Sequence, residues 1–418
     1  DRGKPVMPGG MIKGAYWTSP YPIYVERAEG CHLWDLDGRR YVDFGNHHTA
    51  MILGHNPPEV VEAVQAELAK GFAYGAPSSL EAEIAEELTE RFPSMDKVRY
   101  VNSGTEASLH ATRLVRAVTG KPKIAKFEGA YHGSHDALEV SVSPAVDRAG
   151  PADSPTPVAE WDGLARGSEE DVVLLPYNQP ESVELILREH QDELAAVFFD
   201  GKPGMLDLPP DFARFVRDVT RDLGMLMVMD EVISFRAGYR GYQGLTDVDP
   251  DVTVLGKIVG GGFPVGAFGG KAELMDAMDQ TEGAPQLNVS GTFSGNNLTL
   301  AAGLATLRAL TPDIYDRLDG LRERLHQGMV GIFDDAGVDC QVVSAGSMLS
   351  LYLTEAPVRD YRAMAGSDKP LFERLRLALL LKGQNAPGGL GLTLTAPMDT
   401  SHIDDLLEAT KQVLAETD

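Results

Sequence analysis

The chain has 418 residues, 43% of them apolar and 24% charged, with a formal net charge of −25. That length holds a large core and suggests two or three domains, and no apolar run approaches the roughly 20 residues needed to span a bilayer. A surface this acidic repels phosphate backbones and anionic lipid, which argues against nucleic-acid and membrane partners.

The two cysteines, Cys31 and Cys340, give neither a disulfide framework nor a zinc-ligand spacing, and they fit a reducing, cytoplasmic setting. The chain begins at Asp1 and not at Met, which leaves a preceding targeting segment open.

In chain order, Pro22 to Phe44 reads as short strands, with Asp37-Gly38 as a hairpin turn. Pro58 opens a helix through Val60, Val61, Val64 and Leu68, and Gly71 follows its end. Ser78 and Glu81 form a capping box for the next helix, which ends near Pro93. From about residue 98, short apolar runs alternate with helical stretches: Val98–Val101, Lys123–Phe127, Val172–Leu175, Ala195–Asp200, Met225–Asp230, Val252–Leu255 and Val265–Phe268. Such runs predict an α/β chain with a mainly parallel sheet covered on both faces, whose ligands collect at the carboxyl ends of the strands. Ser141 to Asp171, rich in proline, reads as a lid or a disordered loop. Beyond residue 312 the pattern is that of a smaller α+β unit, with helices over Asp313–Phe333 and Leu371–Lys382 and strands near Leu349–Leu353 and Gly391–Thr395. The expected organisation is an N-terminal segment (1–55) belonging to the small domain, a large domain (56–311) and a C-terminal small domain (312–418).

Four segments carry chemistry, each at the end of a predicted strand. Asn102-Ser103-Gly104-Thr105 opens a helix, where free backbone N–H groups and the positive dipole end suit a phosphate. The plain alternative is an ordinary N-cap. Tyr131-His132-Gly133 offers an aromatic ring to stack on a flat cofactor, or simply a half-buried tyrosine. His132, His135 and Asp136 lack the further ligands a metal site needs, and none is predicted. Asp230-Glu231-Val232 puts a carboxylate at the mouth of a buried strand, a costly place unless a cation such as a protonated pyridine pairs with it. The alternatives there are a helix cap or a Mg²⁺ ligand. Leu255-Gly256-Lys257, followed by Gly260-Gly261-Gly262, gives a lysine with room for a bulky adduct and a lowered pKa suited to Schiff-base chemistry. A nucleotide-binding P-loop is excluded, because Ile258 follows the lysine and Asp251 stands where a glycine is needed.

These segments, with Pro8-Gly9-Gly10, Lys126-Phe-Glu-Gly-Ala-Tyr-His-Gly133 and Ser290-Gly-Thr-Phe-Ser-Gly-Asn296, resemble the class III aminotransferase family. Within it, the chain is similar to the branch of glutamate-1-semialdehyde aminomutase and β-amino-acid aminotransferases. The resemblance implies the type I pyridoxal-phosphate fold, with a seven-stranded sheet, and a homodimer with shared active sites. Pyridoxal 5'-phosphate would be held by Ser103, Gly104 and Thr105 at its phosphate, by Tyr131 and Val232 on its two ring faces, and by Asp230 at its pyridine nitrogen, with His132 nearby. Lys257 would form the Schiff base, and Thr292 would reach the neighbouring subunit's phosphate. The segment 141–171 would correspond to an active-site gate.

The chain departs from the family in three places. Asp200-Gly201-Lys202-Pro203 replaces the usual Glu-Pro. The Asn or Gln that touches the cofactor's phenolic oxygen has no clear counterpart. Two arginines that grip substrate carboxylates are missing, one near Lys13 or Tyr16 and one near Gly388, which leaves Lys13, Lys202 or Arg236 as single charges. The expected activity is transfer of an amino group between an amine or amino compound and a keto acid. The alternatives are an intramolecular aminomutase, a racemase, or a cofactor-binding regulator without turnover.

Overall fold

The computed structural model describes residues 2–19, 21–281, 283–387 and 391–416. Its strands are β1 (Val25–Glu29), β2 (His32–Asp35), β3 (Arg40–Asp43), β4 (Lys97–Val101), β5 (Lys123–Phe127), β6 (Val172–Leu175), β7 (Leu194–Phe199), β8 (Leu226–Asp230), β9 (Val252–Gly256), β10 (Gly266–Gly270), β11 (Gln341–Ala345), β12 (Met348–Tyr352), β13 (Gln384–Asn385) and β14 (Leu392–Thr393). The seven strands expected between residues 98 and 268 all form, within two residues of their predicted ends. They build one sheet in the order β4-β10-β9-β8-β7-β5-β6. Four neighbouring pairs are parallel, and β10 runs antiparallel to both β4 and β9.

Both faces of this sheet are buried, and the two-residue period of a strand divides its side chains between them. Ala196, Phe198 and Val228 pack with Ala107, Ala111, Leu114 and Val115 of the helix Gly104–Thr119. Val197, Phe199, Met227 and Met229 pack on the other face with Val183 and Leu187 of Pro180–Glu189 and with Phe212 and Val216 of Pro210–Asp222. Each fully buried Phe or Met contributes roughly 1.5–3 kcal/mol. This double cover explains why the strands are apolar throughout instead of alternating.

Helix boundaries follow their caps. Ser78 and Glu81 make the predicted capping box for Ser79–Arg91. The helix Gly104–Thr119 starts at Ser103, whose hydroxyl accepts from Glu106 N–H, and stops at Gly120 with φ +69°. Two smaller sheets accompany the large one. In the first, β1, β2 and β3 are joined by β13, which lies parallel to β3, so chain from both ends meets there. In the second, β12 sits between β11 and a two-residue β14, shorter than the predicted Gly391–Thr395 strand. No helix among the described residues is long and apolar enough to cross a membrane.

Candidate active site

Parallel pairing of β7, β8 and β9 delivers three chemical groups to one edge of the sheet. β8 ends in Asp230, Lys257 follows β9, and Asp200 follows β7. Asp230 is 5% exposed, so its carboxylate needs partners. His132 Nδ1 lies 2.7 Å from Oδ2, and the Val232 N–H donates to Oδ1 at 2.9 Å. The buried His132 arrives on the turn after β5 with its ring edge against Phe198. Its Nε2 is buried without a hydrogen-bond partner.

Lys257 sits in the left-handed region, with φ +50°. A non-glycine residue held there costs roughly 1–3 kcal/mol, and such strain clusters at active sites. Its amine makes no hydrogen bond to a described residue. Burial pushes its pKa down, Asp230 and Asp200 pull the other way, and Lys13 adds to the lowering. Burial raises the Asp200 carboxyl and lowers the Lys202 amine, each opposed first by the other's charge.

The anion cup forms where the helix Gly104–Thr119 begins. A methyl group at Gly104 would meet both Val232 methyls at 3.1 Å, and one at Gly256 would lie 3.4 Å from Gly104 Cα. Gly133 packs so close to Thr105 that a side chain would come within 2.7 Å of its Cα. The Ser134 N–H donates to Thr105 Oγ1 at 3.2 Å. The structure thus brings Ser103, Gly104, Thr105, His132, Asp230, Val232 and Lys257 together. Tyr131 is half exposed, with its hydroxyl 3.2 Å from Ser134 Oγ. Thr292 is exposed on the loop whose Ser294 accepts from Asn102 Nδ2 at 3.4 Å. These residues fit pyridoxal phosphate: helix N–H groups for phosphate, a fixed carboxylate for a pyridinium, and an unengaged amine.

Several expectations need correction. Gly260 and Gly261 do not make room for an adduct. A side chain at Gly260 would meet Val265 at 2.6 Å, and one at Gly261 would strike Ala302 O at 2.5 Å, on the helix Asn297–Ala309. Arg236 is not a substrate ligand. It is wholly buried, with Nε donating to Ser347 Oγ at 3.0 Å, Nη1 to Thr49 O at 3.0 Å and Nη2 to Leu394 O. Lys202 is buried and electrostatically committed to Asp200, while Lys13 is exposed with its ammonium 5.5 Å from the Tyr16 ring centre. The Gly388 position lies outside the described residues.

The segment 141–171 is not a loose loop. Glu160 accepts N–H groups of Val142 and Ser143 at 3.1 and 3.0 Å, and Val140 bridges Ala159. Arg362 forks onto Glu128 with two bonds of 3.0 Å and donates to the carbonyls of Ala149, Gly150 and Pro151.

Sequence reading missed the turn Asn46–Thr49. Its four residues have φ between +47° and +75°; at one end Asn46 Nδ2 donates to Thr393 O, and at the other Arg236 Nη1 donates to Thr49 O. It brings the half-buried His48 under the Tyr16 ring (centroids 5.9 Å, planes at 20°) and within electrostatic reach of Lys13 and Lys257. No motif signals this, because neither histidine spacing nor glycine marks the turn.

The fold and this site define a type I pyridoxal-phosphate enzyme. The aminotransferase class-III family model matches residues 14–383, and the chain belongs to that family. It is 40% identical over 388 residues to a glutamate-1-semialdehyde 2,1-aminomutase of Heliobacterium modesticaldum, covering 91% of this chain and 87% of that one. An ω-transaminase from Sphaerobacter thermophilus is also 40% identical and superposes with a TM-score of 0.96 over 99% of this chain and 95% of that one. A transaminase solved with pyridoxal phosphate bound is 34% identical, with a TM-score of 0.91 over 99% and 96% of the two chains. Pyridoxal phosphate is the cofactor of this family and of this chain.

Proposed function

We propose that the chain is a transaminase that takes an amino group from an amine or amino compound and passes it to a keto acid. The observation that carries the reading is the group of Tyr16, His48 and Lys13 within electrostatic reach of Lys257, with no arginine among the described residues that acts on Lys257. A lysine gives a point charge and no planar bidentate grip. That favours a substrate with an apolar or aromatic body and at most one carboxylate contact, over an α-amino acid clamped at both ends. The resemblance to the ω-transaminase, at the same identity as the aminomutase, supports it.

When bound, the cofactor supplies a pyridine ring that accepts electrons from the substrate carbon. Asp230, fixed by His132 and Val232, keeps the pyridine nitrogen protonated. Lys257 Nζ, which burial keeps more readily as the free amine, takes the proton from the substrate carbon and returns it. Ser103, Gly104 and Thr105 would hold the phosphate, and Val232 and Tyr131 would flank the ring. The second reading, an intramolecular aminomutase, rests on the Heliobacterium relative.

The two differ in cosubstrate. Holoenzyme is incubated with a panel of amines plus pyruvate or 2-oxoglutarate, and separately with glutamate-1-semialdehyde alone. Amine turnover only with added acceptor is expected. Efficient conversion of the semialdehyde alone, with no amine turned over, replaces this reading by the second.

A further inference from the structure

Cys31 follows the turn out of β1, His32 opens β2, and His402 lies in the first turn of the helix Thr400–Ala415 at the other end of the chain. One ligand-capable atom from each lies within 4.8 Å of the other two. Cys31 Sγ is 3.6 Å from His32 Nδ1. Bonds of about 2.3 Å to sulfur and about 2.0 Å to nitrogen put the S···N edge of a tetrahedral zinc site at about 3.5 Å. The two imidazole rings stand 5.4 Å apart and tilted by 55°, so they are not stacked on each other.

His402 is already braced. Its Nδ1 lies 2.8 Å from Asp399 Oδ1 and accepts from the Asp399 N–H at 3.2 Å, so Nδ1 is engaged within the helix cap and Nε2 is the nitrogen left for a metal. The same carboxylate oxygen accepts from the N–H and hydroxyl of Ser401, at 2.9 and 2.6 Å, so it cannot swing away. A carboxylate held against one ring nitrogen is a common outer partner of a metal-binding histidine. Burial pushes the Cys31 thiol up to about 11, Asp399 and Asp43 add to the rise and Arg40 opposes it, so an ion bound there must displace a firmly held proton. The site shares no residue with the cofactor cup.

We propose that Cys31, His32 and His402 bind one divalent cation of the zinc class, with water as the fourth ligand. Thiolate and imidazole donors select such a borderline-soft ion over Mg²⁺ or Ca²⁺. Binding replaces the Cys31 thiol proton, which leaves to solvent as the S–metal bond forms. The ion would tie the N-terminal hairpin to the C-terminal helix, at a place that shares no residue with the cofactor cup. Three ligands scattered over both ends of the sequence have no readable spacing, which is why only the fold reveals them.

The test uses full-length holoenzyme, stripped with a chelator and titrated with Co²⁺ as a coloured stand-in for zinc. One equivalent per chain is expected, with a thiolate-to-cobalt charge-transfer band displaced by Zn²⁺. The chain has only two cysteines, so Cys340→Ser keeps the band and Cys31→Ser loses it. His402→Gln weakens binding at least about 100-fold, and Asp399→Asn about 10- to 100-fold. Transaminase rate and cofactor content stay unchanged in all four variants. Should Cys31→Ser misfold, His402→Gln, at a side chain 18% exposed, decides alone. Wild type without the band at one equivalent, or a His402→Gln variant that binds as tightly as wild type, overturns the proposal.

Discussion

Asp230 and Lys126 are both buried titratable groups, and their partners differ in kind. Asp230 is held by a histidine and a backbone N–H, in the place proposed for the pyridine nitrogen's partner. An amide at that position keeps the shape but cannot stabilise a pyridinium. Asp230→Asn is therefore expected to retain the cofactor, seen in its absorbance, and to lose about 100-fold or more in kcat, roughly 2.7 kcal/mol. A near-normal rate would place another group at the ring nitrogen. Lys126 is fully buried and donates to the carbonyls of Leu138 and Val140 at 3.0 and 2.6 Å. Burial, then Lys202, pushes its pKa down to about 7 from 10.5. A neutral amine still has two N–H bonds for those two carbonyls. Between pH 7 and 10.5 the unfolded chain holds a proton that the native chain lacks, so stability rises with pH by up to ~1.4 kcal/mol per unit. Below pH 7 the native lysine is charged as well, and the slope disappears. Urea unfolding of wild type and Lys126→Met at pH 7.5 and 9 should show wild type gaining about 2 kcal/mol relative to the variant. Parallel pH profiles would mean the native amine stays protonated.

At the scale of elements, the segment 141–171 combines local bonds with a tether from residues far away in sequence. Arg362 holds three of its carbonyls and pairs with Glu128, whose side chain is 4% exposed. The Tyr361 hydroxyl donates to Pro144 O at 2.7 Å, and Gly129 leaves room for the Tyr361 ring. Arg362→Ala strands a buried carboxylate, a loss of about 3–5 kcal/mol, and frees the segment. Limited proteolysis should then cut between Pro144 and Pro157 much faster than in wild type, whereas an unchanged cleavage rate would put the restraint elsewhere. These contacts also explain what the sequence could and could not reveal. Strands β4 to β10 were legible because both faces of the sheet are buried, and Lys257 and Asp230 because each directly follows or ends such a strand. The tether of the segment was not, since Arg362 looks like any surface arginine of a short helix. The turn Asn46–Thr49 was hidden for a similar reason: Asn and His tolerate left-handed backbone without requiring it, and the bonds from Asn46 to Thr393 and from Arg236 to Thr49 that hold the turn span distant sequence. The glycines Gly260 and Gly261 were seen but misassigned, because a need for close helix packing and a need for ligand space leave the same mark in a sequence.

At the scale of the whole molecule, a net charge of −25 keeps copies of the chain apart unless an apolar surface opposes it. Such a surface exists. Phe72 (66% exposed), Phe293 (64%), Leu68 (46%) and Tyr74 (43%) are all solvent-facing. Asn296 and Asn297 bind Phe72 O and Gly71 O at 2.9 and 2.7 Å, which ties the two loops into one face. Tyr74, Thr292 and Phe293 line a common cavity there. The Ser294–Asn102 contact places this face beside the loop that leads into Ser103 and the anion cup. A second copy seated on it would stand next to the cofactor phosphate, so dimerisation and cofactor binding should be coupled. The protein is expected to sediment as a dimer, with Thr292 completing the phosphate contacts across the interface. Thr292→Ala should remain dimeric and bind pyridoxal phosphate about 10- to 100-fold more weakly, the loss of one hydrogen bond to a charged group. Phe293→Asp, which buries a charge in the interface, should yield monomers and lower cofactor affinity at least as far. Sedimentation velocity and fluorescence titration of the cofactor measure the two effects on the same samples. A wild-type monomer that is saturated with cofactor and fully active would remove the coupling, and with it the assignment of Thr292 to a neighbour's phosphate.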